Sequence, residues 1–313
     1  MKDEAVQMLM RHPPAQWVEA RRRLAVLAKY EALHEPTTAD VQHAADALDL
    51  TARSFYRLLQ SYRAGKAAVG SRRGTHSSMP QDTADVLDET VSELGPQASD
   101  ATVHAEAIRR CEARGIAWPS LSAVRTRTGR EAGRLDLGRR LARDCDLVLD
   151  ACPLDLDVRA GVTVGGAVLT TLHASRDAAV LGHSLDIGFP DAQQLIKTVT
   201  TAASGLPART GPTSSRPLRL VATREALRAL LPLACDLDLR GIELDASAST
   251  GLKIGAAAVP VLGRRLGRIP LAPLRNPNGR TGPTAPLELA RRVVEELVRD
   301  VRLRGAGRKD LRW

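Results

Sequence analysis

Hydrophobic positions near the start of the chain recur at a helical period. In "QWVEARRRLAVLAKYEALH" Trp17, Leu24, Leu27, Ala28 and Leu33 share one side and arginines fill the other, which predicts an amphipathic helix. Pro36 ends it, and Thr37 or Thr38 can cap a second helix in "TTADVQHAADALDL". A third follows in "TARSFYRLLQSYRAG", with Thr51 at the cap, Phe55, Leu58, Leu59 and Tyr62 on one side, and Gly65 at the close. Lys66 to Pro80 reads as a basic, Gly/Ser-rich link. From about Asp82 to Arg143 the helical period returns in "DTADVLDETVSEL", "SDATVHAEAIRRCEARG" and "WPSLSAVRTRTG". Ser99 is the expected cap of one of these helices, and Pro119 is expected in the first turn of another.

After Asp144 the pattern shifts to β-branched residues and short alternations. "DLVLDAC", "DLDVRAG", "GAVLTTLHA" and "AAVLGHSLD" predict three or four antiparallel strands joined by tight turns. A helix ("PDAQQLIKTVTTAA"), a strand ("LRLVA"), a helix ("TREALRALLPLAC") and a strand ("RGIELD") follow. That order predicts an α/β layer with a mixed sheet. "APLELARRVVEELVRDVRLRG" predicts a final amphipathic helix. The whole reads as an α+β multidomain chain. Its expected segments are 1–70, 71–143, 144–275, and 276–313 for a basic loop with the last helix.

Composition narrows the function classes. The 313 residues are 43% apolar and 3% aromatic, so the core must be aliphatic. A net charge of +9 suits a polyanionic partner, with nucleic acid the default; an arginine-rich coding bias is the alternative. Cys111, Cys145, Cys152 and Cys235 form no C-x-x-C and have no histidines at zinc-finger spacing, so no structural metal is expected. A reduced cytoplasmic, nucleoid-associated setting is the simplest expectation. No apolar stretch reaches the ~18 residues of a membrane span.

"ADVQHAADALDLTARSFYRLLQSYR" has the spacing of a helix-turn-helix. Ala44 and Ala45 allow close helix approach, and Leu50 can plug the turn. The turn carries Asp49 where glycine is common; aspartate tolerates a left-handed backbone better than most residues. Ala52, Arg53, Ser54 and Arg57 would face the major groove or its phosphates. A plain three-helix bundle is the alternative. In the second unit a short helix from Pro119 would present Ser120, Ser122, Arg125 and Arg127, and the linker adds Arg72 and Arg73 as DNA contacts.

The order of these parts resembles the phage Mu-type transposases, relatives of the retroviral integrases in the DDE superfamily. The likeness spans roughly residues 20 to 270. "LDLTARSFYRLLQSYR" is similar to that family's first DNA-binding helix pair, and "CEARGIAWPSLSAVRTR" to its second. "DACPLDLDVRAGVTVGGAVLTTLHASRDAAVLGHSLDIGFPDAQQL" looks like the opening hairpins of its catalytic domain. The resemblance implies an RNase H-like fold and cleavage and joining of DNA at transposon ends with two divalent metals held by three carboxylates. Asp150 matches the first carboxylate. Thr223 stands where the second belongs, and Ala256, Ala257 and Ala258 where the third belongs, in a stretch from Ala246 to Leu287 with no acidic residue. Glu225 is expected to face elsewhere, and Asp155 and Asp157 to lie on the next hairpin. His173 replaces the turn Asp.

The resulting expectation is a sequence-specific binder of double-stranded DNA with a degenerate catalytic domain and no cofactor. It would act beside an active transposase, through self-association, or as a domesticated regulator. Two alternatives stay open. One is a working Mg²⁺-dependent recombinase drawing on Asp236, Asp238 or Asp245; the other is a protein-interaction adaptor. His173 and His183 read as half-buried histidines rather than a metal pair. "SGLPARTG" lacks the Lys-Ser/Thr of a phosphate loop. Ser247 and Ser249 have no histidine close in sequence to activate them.

Overall fold

The computed structural model describes residues 2–10, 12–64, 79–95, 98–141, 145–175, 178–204, 217–249, 252–279 and 284–306. Helix α1 (Lys2–Met10) leads through a short 3₁₀ turn into α2 (Trp17–Glu31). α3 (Thr38–Asp46) and α4 (Ala52–Arg63) complete the first helical unit. Thr37 starts α3 with a capping box shared with Asp40, and the Thr51 hydroxyl accepts from the Ser54 N–H at the start of α4. Leu27, Val41, Ala45, Leu48, Phe55 and Leu59 form its buried core. Tyr30 meets Phe55 edge-on at 5.1 Å between ring centroids. Asp49 takes φ +54° in the turn, as its residue type suggested, and its carboxylate pairs with Arg22 at 2.9 Å.

The second helical unit comprises α5 (Gln81–Leu94), α6 (Asp100–Ala113) and α7 (Leu121–Leu141), packed on Leu87, Val91, Val103, Ala107 and Val124. Ser99 caps α6. Pro119 lies outside α7 rather than in its first turn, because Ser120 takes the cap and its Oγ accepts from the Ala123 N–H at 3.2 Å.

The sheet is built on β1 (Leu147–Ala160), β2 (Thr163–Ala174) and β3 (Val180–Ile187), which are antiparallel neighbours. α8 (Ala192–Ser204) leads to β4 (Leu218–Ala222), then α9 (Arg224–Leu230), α10 (Ala234–Asp238), β5 (Ile242–Leu244), α11 (Ala246–Ser249) and α12 (Ala258–Leu262). A small pair, β6 (Arg265–Leu266) and β7 (Ile269–Pro270), precedes β8 (Thr284–Pro286) and α13 (Leu287–Ala306). Strand order is β3-β2-β1-β4-β5, with β1–β4 and β4–β5 parallel and β8 added parallel to the far end of β1. This is the mixed sheet that the order of sequence patterns predicts.

Alternation along β1 and β4 sorts the side chains. Leu147, Leu149, Leu220 and Ala222 join α8, α9 and α10 on one face. Val148, Leu154, Leu156, Val158 and Val221 join α1, α12 and α13 on the other. Three placements differ from the sequence reading. "DLVLDAC" and "DLDVRAG" are one strand, β1, with a register shift between Pro153 and Asp157. Pro153 lacks an N–H and reads as a boundary, but a bulge accommodates it. Asp155 and Asp157 therefore share a strand with Asp150. Second, β8 extends the sheet and α13 packs on it, so these elements join the layer that sequence patterns end near 275. Third, Val6, Leu9, Trp17, Ala20 and Leu24 from the start of the chain are buried in that same core.

Candidate nucleic-acid interface and a buried carboxylate

Packing decides which side of α4 faces outward. Phe55 and Leu59 are buried, and Leu58 and Tyr62 pack against the same core. The opposite side therefore shows Arg53, Tyr56, Arg57 and Gln60, all exposed and spaced as one helical stripe. Tyr56 is 49% exposed. No ion pair forms at Arg53 or Arg57 among the described residues, so both guanidiniums have their donors facing water. Of the other expected contacts, Ala52 packs on the core, and the Ser54 hydroxyl accepts from the Thr51 hydroxyl at 3.0 Å at the exposed start of α4. Tyr56 and Gln60 were missed by sequence reasoning, although their spacing from Arg53 is the signal that finds them.

The second unit treats its arginines differently. Arg127 is bound inside the unit by a two-pronged ion pair to Asp88, with both side chains largely buried, so it is not a surface contact. Arg125 stays exposed and meets Asp100 only at 3.8 Å. Ser122 is exposed, while Ser120 acts as the α7 cap. Arg72 and Arg73 lie outside the described residues.

Asp150 is fully buried on β1. Gly255 N–H donates to its Oδ1, and Ala257 and Ala258 N–H donate to its Oδ2, each at 2.9 Å. The segment leading into α12 thus closes over the carboxylate with its backbone amides, satisfying a charge that would otherwise be costly to bury. Burial pushes the Asp150 carboxyl up; the three amides pull it down; the charge of Glu225 pushes it up again. Thr223 caps β4 onto this point, its N–H donating to the Leu149 carbonyl at 2.9 Å. The residues that sequence reasoning aligned with the three carboxylate positions, Asp150, Thr223 and the Ala256–Ala258 run, are therefore brought to one end of the sheet.

Glu225, on α9, has its Oε2 buried with no hydrogen-bond partner among the described residues, and its charge is the smallest of the influences on Asp150. Thr223 Oγ1 is likewise buried and unpartnered there.

The donor set does not fit a divalent cation. Both Asp150 oxygens already accept amide protons, and no cluster of three metal-ligating side chains occurs among the described residues. The other acids are engaged or remote. Asp157 is paired with Arg275, which also donates to the Leu154 carbonyl at 2.6 Å and approaches Asp155 at 3.7 Å. Asp245 caps α11 through the Ala248 N–H at 2.9 Å and pairs with Arg219, and these bonds hold its carboxyl below the usual range. Asp236 and Asp238 are exposed on α10.

The two histidines make no metal pair. His173 is buried against the Thr171 hydroxyl at 2.8 Å, and His183 meets Arg302 at 3.5 Å. Burial pulls both imidazoles down to about 4. A cleft of about 760 Å³ opens between β3, α8 and α13, lined by His183, Lys197, Glu295 and Arg302 among others; Asp150 does not line it. At the margin of β3, Arg291 donates to the Leu185 carbonyl at 2.9 Å and to Asp186 at 3.1 Å. No helix among the described residues is long and apolar enough to cross a membrane.

No family model matches the sequence, and no curated protein matches it significantly. Among solved structures, the Mos1 mariner paired end complex with Mn aligns at 11% identity and a TM-score of 0.26, over 94% of this chain and 99% of that chain. A pre-cleavage Mos1 transpososome aligns at 11% identity and a TM-score of 0.25, over the same shares. Scores this low do not establish a shared fold.

Proposed function

We propose that this chain is a sequence-specific, double-stranded-DNA-binding protein of Mu-type transposase descent. In this reading α3 and α4 form a helix-turn-helix whose second helix enters the major groove. α5 to α7 form a second DNA-binding unit, and the mixed sheet is an RNase H-like domain without catalytic activity. It acts in transposition or integration complexes beside an active enzyme or another copy of itself, or as a domesticated regulator.

The observation that carries the reading is the outward stripe of α4. Among the described residues Arg53 and Arg57 have no internal partner, with Tyr56 and Gln60 between and beyond them. Free guanidiniums supply affinity by displacing counterions from the duplex, and one aligned on guanine supplies sequence choice. The amide-bound state of Asp150 supports the loss of catalysis, since a carboxylate already holding three N–H donors has no lone pairs arranged for two ions.

The test has two arms. Binding of labelled duplexes to the full chain is measured across salt concentrations, where a steep fall of affinity with salt is expected. The same duplexes are incubated with Mg²⁺ or Mn²⁺, where intact strands are expected. A flat salt response favours the adaptor reading. Strand cleavage that vanishes in Asp150→Ala overturns the inactive reading in favour of a working recombinase.

A further inference from the structure

We propose that Trp118 is a DNA-contact residue of the second helical unit, its indole packing against the sugar and base surface of a duplex that lies across the start of α7. The inference rests on the DNA-binding reading above and names a contact it lacks.

Trp118 is 61% exposed in a chain with only three tryptophans, three tyrosines and two phenylalanines. Single exposed apolar residues are ordinary; what distinguishes this one is how firmly its backbone is held. On one side, the Thr83 hydroxyl donates to the Ala117 carbonyl at 2.7 Å. On the other, the His104 ring N–H donates to the Pro119 carbonyl at 3.0 Å. Pro119 itself is buried, and Ser120 caps α7 immediately afterwards. Residues on both sides of the indole are anchored to two different helices, so the backbone from which the ring projects is fixed in place. A large aromatic on a fixed backbone has only two side-chain torsions left to order when a partner covers it, which is the property of contact anchors.

The surroundings indicate what covers it. Leu121, 36% exposed, and Ser122 follow on the first turn of α7, and the Arg125 guanidinium extends one turn further, 66% exposed. Of the α7 arginines in this first part of the helix, Arg127 is paired with Asp88 and Arg125 faces outward. An apolar plate beside cations fits a polymer whose sugars and bases alternate with phosphates. Duplex DNA offers both at once: the indole takes the sugar edge or an opened base step, and Arg125 takes the flanking phosphate.

The experiment uses the full chain with Trp313→Phe, so that accessible indole emission comes from Trp118 while Trp17, 1% exposed, is shielded in the core. Acrylamide quenching is measured with and without a saturating mixed-sequence duplex at low salt. Quenching of Trp118 is expected to fall several-fold on binding. Trp118→Ala is expected to weaken duplex binding about tenfold while leaving the slope of affinity against salt unchanged, because the lost contact carries no charge. Trp118→Phe should retain most of the affinity, and all variants should melt with the parent. Undiminished quenching at saturation, or an unchanged affinity in Trp118→Ala, overturns the proposal. Equal protection by polyglutamate overturns the assignment to nucleic acid in favour of an acidic protein. Duplex binding that depends on Arg53 and Arg57 but leaves Trp118 open sinks this inference alone; no duplex binding at all sinks the DNA-binding reading with it.

Discussion

Charged side chains have one fate on the outward stripe of α4 and another in the core of the sheet layer. On α4 Arg53 and Arg57 are exposed and have no internal partner among the described residues. In the sheet, Asp150 is enclosed by backbone amides, Asp157 and Arg275 enclose each other, and His173 is sealed against Thr171. The second helical unit lies between these extremes, with Arg127 internal and Arg125 outside. The difference separates charges that serve the fold from charges left for a partner. A charge whose donors or acceptors are already met inside the protein has little left for a partner.

The largest effect should come from breaking an enclosed pair. Arg275→Ala leaves Asp157, 2% exposed, without its cation. It should cost about 3–5 kcal/mol of stability in chemical denaturation, and an unchanged midpoint would show that this charge is not structural. Acid acts on the same layer. The folded-state values of His173 and His183, about 4, lie below the ordinary 6.5. Stability from keeping them neutral is full above pH 6.5 and is lost as pH falls toward 4. For His173 the loss is on the order of 3 kcal/mol. Denaturation midpoints taken down this range should fall, and His173→Leu should flatten the slope.

Effects on the helices should appear in binding instead. Arg53→Ala and Arg57→Ala should each weaken duplex binding by roughly 1–3 kcal/mol if they reach base edges, with melting unchanged. If either variant unfolds the first unit, the division between structural and available charge fails there. Arg125→Ala should be the mildest. Its distant contact with Asp100 predicts a stability change within about 0.5 kcal/mol, while the salt slope of duplex binding drops by about one.

How much of this was legible depends on the range of the interaction involved. Local chemistry read well. The Thr51 and Ser99 caps, the left-handed Asp49, the apolar side of α4 and the order of strands and helices in the sheet all follow from residues a few positions apart. Long-range partners did not read. The amides holding Asp150 lie more than a hundred positions away and belong to Gly255, Ala257 and Ala258, whose side chains carry no signal. Arg127 looked like a surface cation because Asp88, on another helix, is invisible to a periodicity argument. "DLVLDAC" and "DLDVRAG" read as two strands because the register shift that joins them between Pro153 and Asp157 depends on the neighbouring strand as much as on their own residues.

Arg291 carries a consequence for molecules crowded side by side. β3 is the outer strand on its side of the sheet, the kind of margin where chains zip together into fibres. A guanidinium already bonded to the Leu185 carbonyl and the Asp186 carboxylate interrupts that margin near its end. A strand from a crowded neighbour would first have to pry this clasp away before it could join the sheet there.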